Sequence, residues 1–141
     1  QGRTQFPRFY YTTEPFYASR ALFVIKTKRF NLKFLTAVLN SNVIKFWLRY
    51  KGKMQGDNFQ VDKEPLLGLP LIIPTEAEQI HISALVDQML TAQEQLNSAI
   101  SDSDKKFLQQ RVDVLDKQIN AVVYGLYGLT EDEVKVVEGE I

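Results

Sequence analysis

The stretch Leu69-Pro70-Leu71-Ile72-Ile73-Pro74-Thr75-Glu76-Ala77-Glu78-Gln79-Ile80 divides the chain. As far as Pro74 it is apolar and twice broken by proline. That suits an edge strand or an extended crossing, because proline cannot donate to a β-ladder. From Thr75 it reads as a helix start. Thr75 and Glu78 stand at capping-box spacing, the threonine accepting from a first-turn N–H while the glutamate reaches back. Ile82, Leu85, Met89, Ala92, Leu96 and Ala99 then recur at alternating spacings of three and four, which predicts a helix with a short heptad-like seam. Ser101-Asp102-Ser103-Asp104 suits a turn, and Leu108, Val112, Leu115, Ile119 and Val122 mark a second stripe. Two amphipathic helices joined by a short turn pack antiparallel. Gly125 and Gly128 should stop the second helix, and Thr130 with Glu133 opens a last short helix through about Glu138.

Upstream of the divide the periodicity differs. Arg8–Thr12 and Ala21–Lys26 are rich in aromatic and branched residues and predict strands, with a turn over Thr12–Ser19. From Asn31, a candidate N-cap, Leu32, Leu35, Val38 and Leu39 share one helical face. Asn40-Ser41-Asn42 interrupts that helix, and Val43, Ile44, Trp47 and Leu48 make a second one ending before Gly52. Lys51–Glu64 has no apolar period and reads as a loop with a short strand around Phe59–Val61. The expected fold class is therefore α+β. A small basic mixed α/β module over residues 1–74 is followed, over 75–141, by an acidic antiparallel helical hairpin and a short C-terminal helix packed on it.

The charge divides at the same place. The 141 residues are formally neutral. Residues 1–70 hold twelve Lys/Arg against four acids, a net +8, whereas residues 71–141 hold five against thirteen, a net −8. Such asymmetry points to a nucleic-acid or membrane contact on the basic side. The apolar runs are far shorter than the roughly 20 residues that span a bilayer, so a membrane partner is not expected. The polar start, Gln1–Arg8, is no secretory signal. The chain does not begin with Met and is read as a piece of a longer protein.

Several chemistries are excluded by composition. The absence of cysteine removes thiol catalysis, disulfides and Cys-ligated zinc. The single histidine, His81, flanks the seam and reads as a surface or packing residue. No phosphate-cradling glycine motif is present. Glu133-Val134-Lys135 matches the tail of the metal-dependent nuclease pattern but has no Pro-Asp upstream, and it suits a solvated helix face. Asp102, Asp104, Glu131, Asp132 and Glu133 lie where helix caps and the helix dipole favour acids. No catalytic residue and no metal ligand is nominated.

The richest constellation is Arg49-Tyr50-Lys51-Gly52-Lys53-Met54-Gln55-Gly56-Asp57-Asn58-Phe59-Gln60-Val61. Arg49, Lys51 and Lys53 suit DNA phosphates, which supply affinity without sequence information. Gln55, Asn58 and Gln60 carry amides that offer a donor and an acceptor together, the pairing adenine presents in the major groove. Lys26, Lys28 and Arg29 add a second basic cluster. The aromatics Phe9, Tyr10, Tyr11, Phe16 and Tyr17 interleave with bases as nucleic-acid surfaces do. The bland alternative is a solvated basic loop whose amides cap its own turns.

Four segments in fixed order resemble restriction–modification target recognition domains. They are Phe34-Leu35-Thr36-Ala37-Val38-Leu39-Asn40-Ser41, the Lys/Gly/Gln segment Lys51–Val61, the Leu69–Pro74 lead into Glu78-Gln79-Ile80, and Ile119–Thr130 with Val123-Tyr124-Gly125-Leu126-Tyr127-Gly128-Leu129-Thr130. Asn120 stands where that family commonly has Asp. The match is to the TaqI-like C-terminal specificity domain of type IIG enzymes, which join an endonuclease, an adenine-N6 methyltransferase and a recognition domain in one chain. The resemblance implies a non-catalytic reader of double-stranded DNA in the cytoplasm of a prokaryote. Its partners would be DNA and the catalytic domains of the parent chain. S-adenosylmethionine and Mg2+ would be cofactors of the parent, with none in this part. Alternatives are a fragment of a type I specificity subunit and an oligomerisation module that self-associates through the helical hairpin.

Overall fold

The computed structural model describes residues 3–4 (backbone only), 7–20 and 22–140. Helices predominate, and a small antiparallel sheet completes an α+β fold. In chain order the elements are β1 (Arg3–Thr4), α1 (Leu32–Asn40), α2 (Asn42–Lys51), β2 (Lys53–Gln55), β3 (Asn58–Gln60), α3 (Lys63–Leu67), α4 (Glu76–Ser98), α5 (Asp102–Leu126) and α6 (Glu131–Glu138). The sheet order is β1-β3-β2.

Helix starts follow the caps. Asn31 accepts from the N–H groups of Lys33 and Phe34 to open α1. Both expected capping boxes form, Thr75 with Glu78 and Thr130 with Glu133. Three residues join α4 to α5, and the two pack along each other as a hairpin. Its stripes face one core that draws on both sides of Pro74. That core joins Phe34, Val38 and Ile44 to Ile82, Ala92 and Val123. The heptad-like seam is thus used within the chain: Ile82, Leu85 and Ala92 are buried there, and Met89 is partly buried.

Each residue of Asn40-Ser41-Asn42 has a bond that explains the helix break. Asn40 clamps the backbone of Phe9, accepting from its N–H at 2.9 Å and donating to its C=O at 2.8 Å. Ser41 is extended, donates its hydroxyl to the Val38 carbonyl and N-caps α2. The Asn42 side-chain amide donates to the Tyr124 hydroxyl at 3.0 Å.

Four sequence expectations are corrected. Arg8–Thr12 forms no ladder, nor do residues 22–26 (Ala21 lies outside the described residues). Strand propensity is realised only where a pairing edge is present. Lys51–Glu64 is not a loop: Lys51 ends α2, the tight hairpin β2–β3 follows with β3 close to the expected short strand, and α3 begins at Lys63, too short to show a period and with Pro65 in its first turn. Of the expected turn Ser101–Asp104 only Ser101 stays outside α5, as its N-cap. Gly125 lies within α5, and the helix ends just before Gly128. Leu69–Pro74 is an extended crossing with no ladder.

Candidate nucleic-acid interface

The hairpin gathers four of the nominated side chains. Its register pairs Lys53 with Gln60, Met54 with Phe59 and Gln55 with Asn58. Side chains alternate across a strand, so Lys53, Gln55, Asn58 and Gln60 share one face and Met54 and Phe59 the other. Phe59 is buried in the core, which turns the polar face outward. The two-residue loop Gly56-Asp57 has φ of 58° at Gly56 and no positive φ at Asp57, the pattern of a type II′ turn. Among the described residues β1 pairs with Phe59 and Gln60, and the β2–β3 ladder runs on to Gln55 and Asn58 at the turn.

The face is not uniform. Asp62 accepts from the Gln60 amide at 3.2 Å and pairs with the Lys53 ammonium at 3.5 Å. Those two side chains are partly committed. Gln55 and Asn58 are exposed at the tip, and no side-chain hydrogen bond among the described residues engages them. Asp62 was not nominated from sequence. It lies outside the basic run, and its position beside the Lys53–Gln60 pair depends on a register only folding reveals.

Arg49 and Lys51 are exposed on the last turn of α2, where cations also suit the helix dipole. Tyr50 between them is exposed, and its ring lies 4.6 Å from that of Phe46. Gly52 joins α2 to β2. A Cβ there would lie 2.4 Å from the Leu48 carbonyl oxygen, so only glycine fits the junction unshifted.

A polar network sets the direction of α2. The Asn42 N–H donates to Asn120 Oδ1 at 2.8 Å, and buried Asn120 donates to the Asp116 carbonyl. Tyr124 accepts from the Asn42 amide and donates to Glu138 Oε1 at 2.9 Å, joining α2, α5 and α6. Burial pushes the Tyr124 hydroxyl up to about 12, with Glu138 adding to the shift and the Asn42 bond opposing it. Tyr127 donates to the Pro70 carbonyl at 2.7 Å, and burial raises its pKa as well. Both tyrosines of the Val-Tyr-Gly-Leu-Tyr-Gly-Leu-Thr tail are therefore staples, one on α2 and one on the crossing.

The other basic cluster is elsewhere. Lys26, Lys28 and Arg29 are exposed on the irregular segment before α1, and Lys26 and Lys28 line a groove over α1. The side chain of Arg3 lies outside the description. His81 is exposed on α4. Among the described residues no group of three or more His, Asp or Glu is arranged to hold a metal. Asp104 and Glu133 are engaged in helix caps, and Asp132 pairs with Lys135. No described helix is long and apolar enough to cross a membrane. The chain matches no known family model, curated protein or solved structure.

Proposed function

We propose that the chain is a sequence-specific double-stranded DNA recognition domain, non-catalytic itself, of a bifunctional type IIG restriction endonuclease and adenine-N6 methyltransferase. One observation carries this reading: alternation places two exposed amides, Gln55 and Asn58, side by side at the turn end of the β2–β3 hairpin, with no side-chain hydrogen bond among the described residues. The major groove admits such a ribbon, and side-chain amides pair bidentately with adenine there. Arg49 and Lys51 hold the flanking phosphates, fixing register without reading sequence. Lys53 and Gln60 join the contact as far as Asp62 releases them. The order of sequence segments supplies the family reading. On that reading the acidic helical hairpin docks on the catalytic domains of the parent chain, where S-adenosylmethionine and Mg2+ act, in a prokaryotic cytoplasm.

Selection from a randomised duplex pool tests this. The unaltered chain enriches one short site, and Gln55→Ala or Asn58→Ala relaxes the preference at one base pair, at about 1–3 kcal/mol per contact. Failure to enrich any sequence would overturn the assignment of base reading to the hairpin.

A further inference from the structure

Two strand-like segments without a strand partner flank an apolar groove. Residues 7–12 alternate between half-buried and exposed, as a strand does, yet carry no ladder. At Phe9 the backbone donor and acceptor are already taken by the Asn40 amide. Residues 22–26 read Leu-Phe-Val-Ile-Lys, a strand-forming composition. Leu22, Phe23, Val24 and Ile25 are 42–49% exposed, and from Phe23 to Lys26 no backbone hydrogen bond is made among the described residues. Between the segments opens a groove of about 720 Å³, floored by Leu32, Leu35 and Leu39 of α1 with Val61 and Leu66. Aliphatic side chains left this open to water gain free energy when a partner covers them. Its surroundings are cationic, with Arg8, Lys26 and Lys28 at the groove and Glu14 the only acid between residues 7 and 31.

We propose that this groove takes an extended strand of a partner polypeptide, apolar at alternate positions and acidic at its ends, added to the backbone edge of residues 23–26. Main-chain bonds to that edge give affinity, alternate side chains fill the apolar floor, and the acids meet the cationic rim. Charge disfavours a second copy, and the apolar lining disfavours DNA. A second copy pairing through 22–26 brings two cationic rims together. DNA has no apolar face to bury over Leu22–Ile25. The inference stands independently of DNA reading by the hairpin, and it reassigns Lys26 and Lys28 from phosphate to carboxylate.

The test titrates the peptide acetyl-Glu-Glu-Val-Thr-Val-Thr-Val-Glu-Glu-amide into the 141-residue chain, followed by amide NMR and hydrogen exchange. Amides of Phe23, Val24 and Ile25 shift, and exchange slows by about tenfold at saturation at Val24 and Lys26, whose N–H groups share the paired edge. The same peptide with lysine at both ends binds about fivefold more weakly. Val24→Pro abolishes binding and leaves the α4–α5 signals unchanged, because it removes a donor that bonds nothing in the free chain. The proposal fails if residues 22–26 are unmoved, if both peptides bind equally, or if the chain dimerises through this segment and excludes the peptide.

Discussion

Gly52 is the residue on which the interface turns. Its N–H donates to the Leu48 carbonyl at 2.9 Å, and an added Cβ would meet that same oxygen at 2.4 Å. Gly52→Ala must displace either the end of α2 or the start of β2. The expected loss is about 1–3 kcal/mol, read as a lower urea midpoint. Asp62 acts differently, by occupying its neighbours. Asp62→Asn keeps a hydrogen-bonding partner for Gln60 and releases the Lys53 ammonium. Affinity for an arbitrary duplex should rise, and the slope of log affinity against log salt should steepen by about 1. Folding stability should move by about 1 kcal/mol or less, since the ion pair is partly exposed. Anisotropy titrations at several salt concentrations, with a urea melt, check both statements. Lys53 and Gln60 were legible in the sequence by residue type. Asp62 was not, because strand register, which spacing does not specify, brings it beside them.

At the scale of elements, the tail of α5 orients α2 and thereby the hairpin. Tyr124→Phe removes the bonds to Asn42 and Glu138 and should cost about 1–2 kcal/mol near neutral pH. Its pH signature is specific. The folded hydroxyl titrates at about 12 against an ordinary 10.0, so its neutral form is favoured by folding. That contribution is fully present below pH 10 and is lost as pH rises through about 12. The unaltered chain should therefore lose stability across this interval more steeply than Tyr124→Phe, and Tyr127 and Lys33, both with raised pKa values, contribute to the limb that remains. Urea melts at stepped alkaline pH measure the difference. The helices and their caps were legible because local spacing and side-chain chemistry decide them: Asn31, Thr75 and Thr130 all cap as read. The strands were not. Residues 8–12 and 22–26 have strand composition, but a ladder needs a second edge, and local sequence does not say where one is. The hairpin hid for the opposite reason, since three-residue strands beside a glycine turn have almost no period to detect.

For the whole molecule, net neutrality conceals two opposed halves bound into one core. Val38 and Ile44 from the cationic half lie in the same cluster as Ile82 and Val123 from the anionic half. Lys33 on α1 pairs with Asp87 on α4 at 2.6 Å, a bond that raises the lysine's affinity for its proton. On the proposed function this arrangement presents the polyanion with one attractive side, while the acidic helical hairpin repels it. Salt dependence reads that division directly. The decisive measurement is the affinity of the intact chain for a mixed-sequence duplex across a range of potassium chloride, compared with Arg49→Ala/Lys51→Ala. Affinity should fall linearly on logarithmic axes, with a slope shallower by about 2 in the double variant because two phosphate contacts are lost. Binding that is absent at low salt, or a slope unchanged by the double variant, would contradict the proposed function.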